Sequence, residues 1–505
     1  MFVRQKKNPS GVVSVQVIDK SNGKYTVKKT IGSSKNVLEV ERLVEQGAQW
    51  IKRQTGQKGL DFSDYRGMTK AVLDQISEIT ISGIDLLLGR IFDEIGFNQI
   101  DSPLFKPLVL SRLEHPSSKL KTTDYLARYH SLYIDVESVY RYMDKLYNTQ
   151  KEKVQHLSYL HTRQILGDDI SVVFYDVTTL YFEIEKEDEL RKTGFSKDGK
   201  HQNPQIVLGL LVSAKGYPLS YDIFEGNKYE GDTMLPIIDS FKQKYSLKSL
   251  TIVADSGLIS TSNIMEIEAR GHKYILGARI KNQPADIEQK ICSLNLKDGE
   301  SKVIHKDPNT ALIINYSSKR AKKDLFNRER GLSRLEKQIV SGKLTKSNIN
   351  KRGYNKYLKL EGSTKVSIDR EKFELDAKWD GLKGYQTNHT SLSKEEIIDS
   401  YQQLWKIEKA FRISKNDLKV RPIFHRIQRR IEAHICISFT AYKVYKELER
   451  QLYDKQANIS AEKAIDIAKT IFKIKVNVLN SNQSMEKIII TNDEQRYLVD
   501  IFKLL

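Results

Sequence analysis

Short apolar, β-branched runs alternate with amphipathic stretches through the middle of the chain, a pattern that predicts an α/β architecture. Two runs read as buried strands: Ile170-Ser-Val-Val-Phe-Tyr-Asp176, continuing as Val-Thr-Thr-Leu-Tyr-Phe, and Leu250-Thr-Ile-Val-Ala-Asp255. Apolar runs bounded by polar segments are what strands covered on both faces require. Between them the pattern predicts a hairpin, residues 206–214 and 218–225, turning at Lys215-Gly-Tyr. Gly231-Asp-Thr then opens a helix through 234–241, with Pro236 in the first turn, where a missing N–H costs nothing. A helix over 261–270, stopped by Gly271, and a strand over 272–278 follow.

Three antiparallel strands, then helix, strand, helix and strand, read as a ribonuclease H-like core. In that fold the ends of the first and fourth strands are neighbours, so Asp176 and Asp255 are expected side by side although 79 positions separate them. An aspartate at the end of an apolar strand is a poor packing residue and a costly one to bury unpaired, so both are candidates for chemistry. As single residues, each is equally well read as capping a turn.

The flanks divide accordingly. Residues 1–67 are expected to form a β-hairpin (11–18 and 24–31) and an amphipathic helix (37–54), and 68–165 a mainly helical region. The core is expected at 166–281 and 391–450, interrupted by a mixed β/helical insertion over 282–390, with C-terminal helices over 451–505, near 461–474 and 492–505. The insertion is expected to hold strands, among them 311–316, a charged helical hairpin striped by Leu325, Leu332, Leu335 and Ile339, and strand-like segments at 366–368 and 372–376.

A third acidic candidate lies in Tyr401-Gln-Gln-Leu-Trp-Lys-Ile-Glu-Lys-Ala-Phe-Arg-Ile-Ser-Lys415. Tyr401, Glu408 and Lys415 are spaced by seven residues, two helical turns, and so fall on one face of a single expected helix. A carboxylate flanked by a cation suits a phosphodiester ligand.

With these residues in place, the chain resembles the DDE transposases of bacterial insertion sequences, in the insertion-sequence-four group. That group carries tyrosine, two residues, arginine, three residues, glutamate, six residues and lysine. Tyr401, Glu408 and Lys415 match, and Leu404 stands at the arginine position. Tyr175-Asp-Val-Thr-Thr179, Gly226-Asn227, Ala254-Asp-Ser-Gly257, Ser111-Arg-Leu-Glu-His-Pro-Ser-Ser-Lys119, Val420-Arg-Pro-Ile-Phe-His425 and Arg430-Ile-Glu-Ala-His434 also look like the family. The resemblance implies that Asp176, Asp255 and Glu408 form an acidic triad that cuts at terminal inverted repeats and joins the freed 3′-hydroxyl to target DNA. It implies phosphate contacts by Tyr401, Lys415, Arg412 and Arg421, a base-stacking role for Trp379, and DNA binding by the helical region 68–165. Crowded carboxylates repel unless cations neutralise them, and oxygen-only ligands select Mg²⁺, with Mn²⁺ substituting, over zinc. Two such ions are expected.

Composition agrees. Lys and Arg number 83 against 64 Asp and Glu, a net charge of +19 that favours double-stranded DNA as partner. Residues 319–359 hold 14 basic and 3 acidic residues, so Lys322 and Lys323 are expected to face DNA. No apolar run reaches the roughly 18 residues of a membrane span, no phosphate-binding glycine loop calls for a nucleotide, and Cys292 and Cys436 lack zinc-like spacing. The expectation is a soluble, cytoplasmic, nucleoid-associated bacterial enzyme acting as a homodimer in the synaptic complex. A ribonuclease H-like nuclease without strand transfer, or a catalytically silent DNA-binding relative, fits the same residues.

Overall fold

The computed structural model describes the chain except residues 22, 56–68, 71, 168–169, 185, 197–198, 259, 351–352, 362–364, 414, 416–417, 419, 421–422 and 479–481. It falls into two compact units, Met1–Ser77 with Lys475–Met485, and Glu78–Ile474 with Glu486–Leu505.

In the first unit β1 (Phe2–Lys7), β2 (Val13–Asp19) and β3 (Thr26–Ser34) form an antiparallel sheet under the helix Val37–Thr55. The expected hairpin thus gains a strand. Phe2-Val-Arg-Gln-Lys-Lys7 is largely polar and exposed, which is why it carries no apolar signal. Register shifts in the β2–β3 pairing turn consecutive residues to one side, and Val17 and Ile18 are both buried.

The second unit opens with β4 (Ile76–Ile81) and a run of helices that includes Phe105–Glu114, Lys119–His130, Val136–Lys145 and Lys151–Leu166. These helices, the long helix Gln428–Asp454 and the C-terminal helix Asp493–Phe502 share one apolar cluster with Phe92, Val109, Met143, Ile437, Leu498 and Phe502 in its interior.

An eight-stranded sheet forms the centre. Its strands in chain order are β5 (Val172–Tyr181), β6 (Gln205–Ser213), β7 (Pro218–Glu225), β8 (Thr251–Ala254), β9 (Lys273–Ala278), β10 (Ser301–His305), β11 (Ala311–Tyr316) and, after a small antiparallel pair β12 (Leu358–Glu361) and β13 (Lys365–Ile368), β14 (Leu382–Thr387). Across the sheet they run β10-β11-β14-β9-β8-β5-β6-β7. β5, β6 and β7 pair antiparallel; β8 lies parallel to β5, and β9 parallel to β8. The helices Met234–Tyr245 and Thr261–Ala269 connect β7 to β8 and β8 to β9, and pack one face with Ile237, Ile238, Phe241 and Ile267.

Strands β10, β11 and β14 extend the central sheet antiparallel from β9. Three expectations are corrected. The charged segment is one 23-residue helix, Ser318–Val340, not a helical hairpin. Ser341-Gly342, with Gly342 at φ +66°, ends it, and the return path is 3₁₀ turns followed by β12 and β13. Residues 372–376 lie in and just after the helix Arg370–Leu375, capped by the Asp369 carboxylate on the Lys372 N–H (3.1 Å). Near the C-terminus the helix Ala461–Ala468 is followed not by more helix but by two strands, β15 (Phe472–Asn477), where Lys473 and Lys475 alternate with apolar residues, and the mostly exposed β16 (Ser484–Ile489).

Candidate active site

The parallel pairing of β5 and β8 sets the two aspartates side by side. Phe174 stands opposite Val253 in the register, so Asp176, midway along β5, lies level with Asp255, the first residue past the end of β8. Asp176 is half-buried and Asp255 exposed. Each uses Oδ1 to accept the next residue's N–H: Val177 on Asp176 (2.8 Å) and Ser256 on Asp255 (2.8 Å).

The Tyr401–Lys415 tract is bent rather than one straight helix. The helix Lys394–Gln402, opened by a capping box in which Ser393 and Glu396 bond reciprocally, gives way to a second helix, Trp405–Arg412. At the join Leu404 N–H bonds the Tyr401 carbonyl and Ile407 N–H the Leu404 carbonyl, both at 3.0 Å and both three residues back, which overwinds the chain locally. Leu404, at 8% exposure, belongs to the main apolar cluster. The helix Trp405–Arg412 packs against β5 and carries Glu408, which is exposed.

The Tyr401 hydroxyl donates to Asp255 Oδ1 (2.9 Å), a contact across 146 positions. Its proton is therefore held by a carboxylate in this structure rather than offered to a phosphate. Burial, then the charge of Asp255, pushes the phenol well above its usual range, so it remains a donor. The ring packs edge-on to Tyr385 at 4.9 Å. Gly277 on β9 makes room: a Cβ there would sit 2.5 Å from the Tyr401 hydroxyl oxygen and 3.3 Å from Asp255 Oδ1.

Sequence reasoning missed Lys383. It sits on β14 with its ammonium 4.5 Å from the Tyr401 ring centre and 5.4 Å from that of Tyr385. Burial lowers its pKa, as does Arg320, while Asp255 and Glu408 act to raise it. One cation thus feels two of the three candidate carboxylates. The alternation Leu382-Lys-Gly-Tyr-Gln-Thr387 marks a strand but not the end at which the lysine would emerge.

Asp255, Tyr401 and Lys383 line a polar groove of about 640 Å³ together with Arg279, Lys281 and Arg320. Arg279 donates to the Ser256 carbonyl (3.0 Å) and so braces the loop after Asp255. Trp379 is also in the wall but only 6% exposed, packed on Ile287, Ile291, Leu312 and Ile314, with the Lys281 and Lys378 ammoniums 5.8 and 5.4 Å from its ring centre. A base reaching it would have to displace that packing. Arg412, Lys322 and Lys323 are exposed and Lys415 is half-buried. Arg421 lies outside the described residues.

The donors at this end of the sheet are carboxylate oxygens, the chemistry that suits a hard divalent cation. Among the described residues no three of His, Cys, Asp and Glu are gathered closely enough to hold a metal by themselves.

The Transposase DDE domain family matches residues 167–443, from just before β5 into the helix Gln428–Asp454, and the chain belongs to that family of transposases. Among solved structures it is similar to the piggyBac transposase in a synaptic complex with hairpin DNA, at 10% identity over 76% of each chain with a TM-score of 0.39, too distant a likeness to carry an argument. No curated protein matches. Among the described residues no helix is long and apolar enough to cross a membrane.

Proposed function

We propose that the protein is a DNA transposase that nicks the terminal inverted repeats of its own insertion sequence and transfers the freed 3′-hydroxyl ends to target DNA. The observation that carries this reading is that Asp176 on β5 and Asp255 just past β8 lie level on adjacent parallel strands, with Tyr401 tying the Glu408-bearing segment to Asp255. The order β7-β6-β5-β8-β9, with β5, β8 and β9 parallel, supports a ribonuclease H-like core in which 282–390 is an elaboration.

Asp176, Asp255 and Glu408 would hold Mg²⁺ or Mn²⁺, two ions in the full reading. When bound, such ions activate the attacking oxygen and stabilise the leaving 3′-oxygen. The chain's own residues orient and balance charge. Tyr401 fixes the Asp255 carboxylate by hydrogen bond, which leaves its second oxygen, Oδ2, for a ligand. Lys383 offsets the negative charge of Asp255 and Glu408 and, with Arg279, Lys281 and Arg320, makes the groove attractive to a phosphate backbone. Arg412, Lys415, Lys322, Lys323 and Arg421 would add phosphate contacts, and Trp379 a stacking surface if its packing opens. Because one phosphodiester is exchanged for another, no nucleotide is consumed. Two protomers would act together on paired ends.

The test is incubation of purified protein with Mg²⁺ and labelled duplex from the borders of its own gene. Nicks at fixed positions followed by joined products, both absent with Asp255→Asn, are expected. Nicks without joined products would identify a nuclease. Binding without nicks would identify a silent DNA-binding relative.

A further inference from the structure

Away from the carboxylates, a second basic site lies in the second unit. The start of the helix Lys119–His130, the end of the helix Phe105–Glu114, the helix Gln428–Asp454 and the segment 424–425 enclose a cavity of about 580 Å³. Arg112, Lys119, Lys121, His425 and His434 line it, and among the described residues no aspartate or glutamate does. None of its lining residues is shared with the Asp255 groove.

Among the described residues, two of these cations are buried without a counter-charge. Lys119 is 4% exposed, and among the described residues its ammonium makes no hydrogen bond or ion pair. Arg112 is equally buried and, among the described residues, reaches the Leu418 carbonyl and His434 Nδ1, both at 3.5 Å. His434 Nε2 lies 3.0 Å from the Val420 carbonyl; donating there makes Nδ1 the acceptor that faces Arg112. The histidine is thus neutral and supplies no charge. An unpaired buried cation is costly, and most proteins avoid one. Burial and the neighbouring Arg112 depress Lys119 strongly, and burial alone brings Arg112 down to about 10.

The remaining features fit an anion. The N-terminus of a 12-residue helix, capped by the Ser118 side chain on the Lys121 N–H (3.4 Å), adds its dipole and backbone donors. Lys121 is exposed at the mouth, and Phe424, 67% exposed, gives the same cavity an apolar surface. Buried cations, a helix N-terminus and an exposed ring suit a phosphodiester with its flanking sugar. We propose that this pocket grips one phosphate of the DNA backbone, a positioning contact separate from the site of chemistry. The inference rests on the DNA-processing reading above. It also brings together two distant tracts, 111–119 and 420–434, that sequence alone leaves unconnected.

The experiment uses the full-length protein, labelled border duplex and fluorescence anisotropy over a range of salt concentrations, comparing wild type, Lys119→Met and Lys119→Arg. Lys119→Met is expected to bind about tenfold more weakly and to lower the steepness of log affinity against log salt by about one. Lys119→Arg retains both. Thermal melting should show Lys119→Met folded, and inorganic phosphate at matched ionic strength should raise the melting temperature of wild type only. If Lys119→Met does not fold, Lys121→Ala is read for the same drop in salt steepness. Unchanged affinity and steepness overturn the proposal. Stabilisation by phosphate that Lys119→Met abolishes, with DNA binding intact, assigns the pocket to a free anion and also overturns it. Wild type that fails to bind duplex sinks the DNA-processing reading itself, and the pocket's assignment with it.

Discussion

The groove at Asp255 and the pocket at Lys119 are both basic, but they balance charge in opposite ways. In the groove Lys383 and Arg320 share the wall with Asp255, Asp324 and Asp380, and Arg320 pairs with Asp324 at 3.5 Å. In the pocket Arg112 and Lys119 are buried with no acid beside them among the described residues. A region holding both signs can take cations onto its carboxylates while a phosphate rests on its lysines and arginines, the requirement for phosphoryl transfer. A region with buried positive charge alone can hold an anion but has nothing with which to activate one. On the proposals above, chemistry and grip are separate, and charge composition, more than total charge, is what tells the two regions apart.

That separation can be broken or sharpened by measurement. Removing divalent metal with EDTA should lower the cleavage rate by about 10³-fold or more, while border-duplex affinity at matched ionic strength changes little, because the pocket contact needs no metal. Equal loss of both would erase the distinction. Gly277→Ala should cost about 100-fold in cleavage, since its Cβ would lie 2.5 Å from the Tyr401 hydroxyl oxygen and must push the ring off Asp255. Duplex binding by the same variant should hold. Conversely, Lys119→Met, once saturated with DNA, should cleave at the wild-type rate, its roughly tenfold deficit confined to affinity; a slowed single-turnover rate would connect the two regions. The smallest effect is expected from Tyr401→Phe, which removes one hydrogen bond to Asp255 and should slow cleavage about fivefold.

The sequence was most legible where burial is continuous. β5, β6, β8 and β9 are buried over most of their length and can be read in order, because a strand covered on both faces has little polar alternation to blur it. Legibility fails where segments are short, exposed or defined by distant partners. Lys372-Phe-Glu-Leu-Asp alternates like a strand, yet an Asp369 cap starts a helix just before it. Phe2–Lys7 and Ser484–Ile489 are strands with mostly exposed side chains, held by backbone pairing that leaves little trace in composition. At the candidate site, heptad spacing placed Tyr401 and Glu408 on one helix, whereas the tight turn at Gln403-Leu404 separates them. Leu404 accounts for that departure locally: at the join the chain buries an aliphatic side chain in its core. Lys383 and the Tyr401–Asp255 bond were invisible because they join residues from different thirds of the fold. The Arg112–Lys119 pocket was hidden for the same reason, and family-like tracts at 111–119 and 420–434 were its only trace.

The most direct test of the central claim is a side-by-side measurement of single-turnover cleavage of border duplex by wild type, Asp176→Asn, Asp255→Asn and Glu408→Gln with Mg²⁺. The account predicts that each substitution lowers the rate by about 10³-fold or more while duplex affinity and melting temperature stay near wild type. Cleavage at an undiminished rate by any one of the three, in a folded and DNA-bound protein, would contradict it.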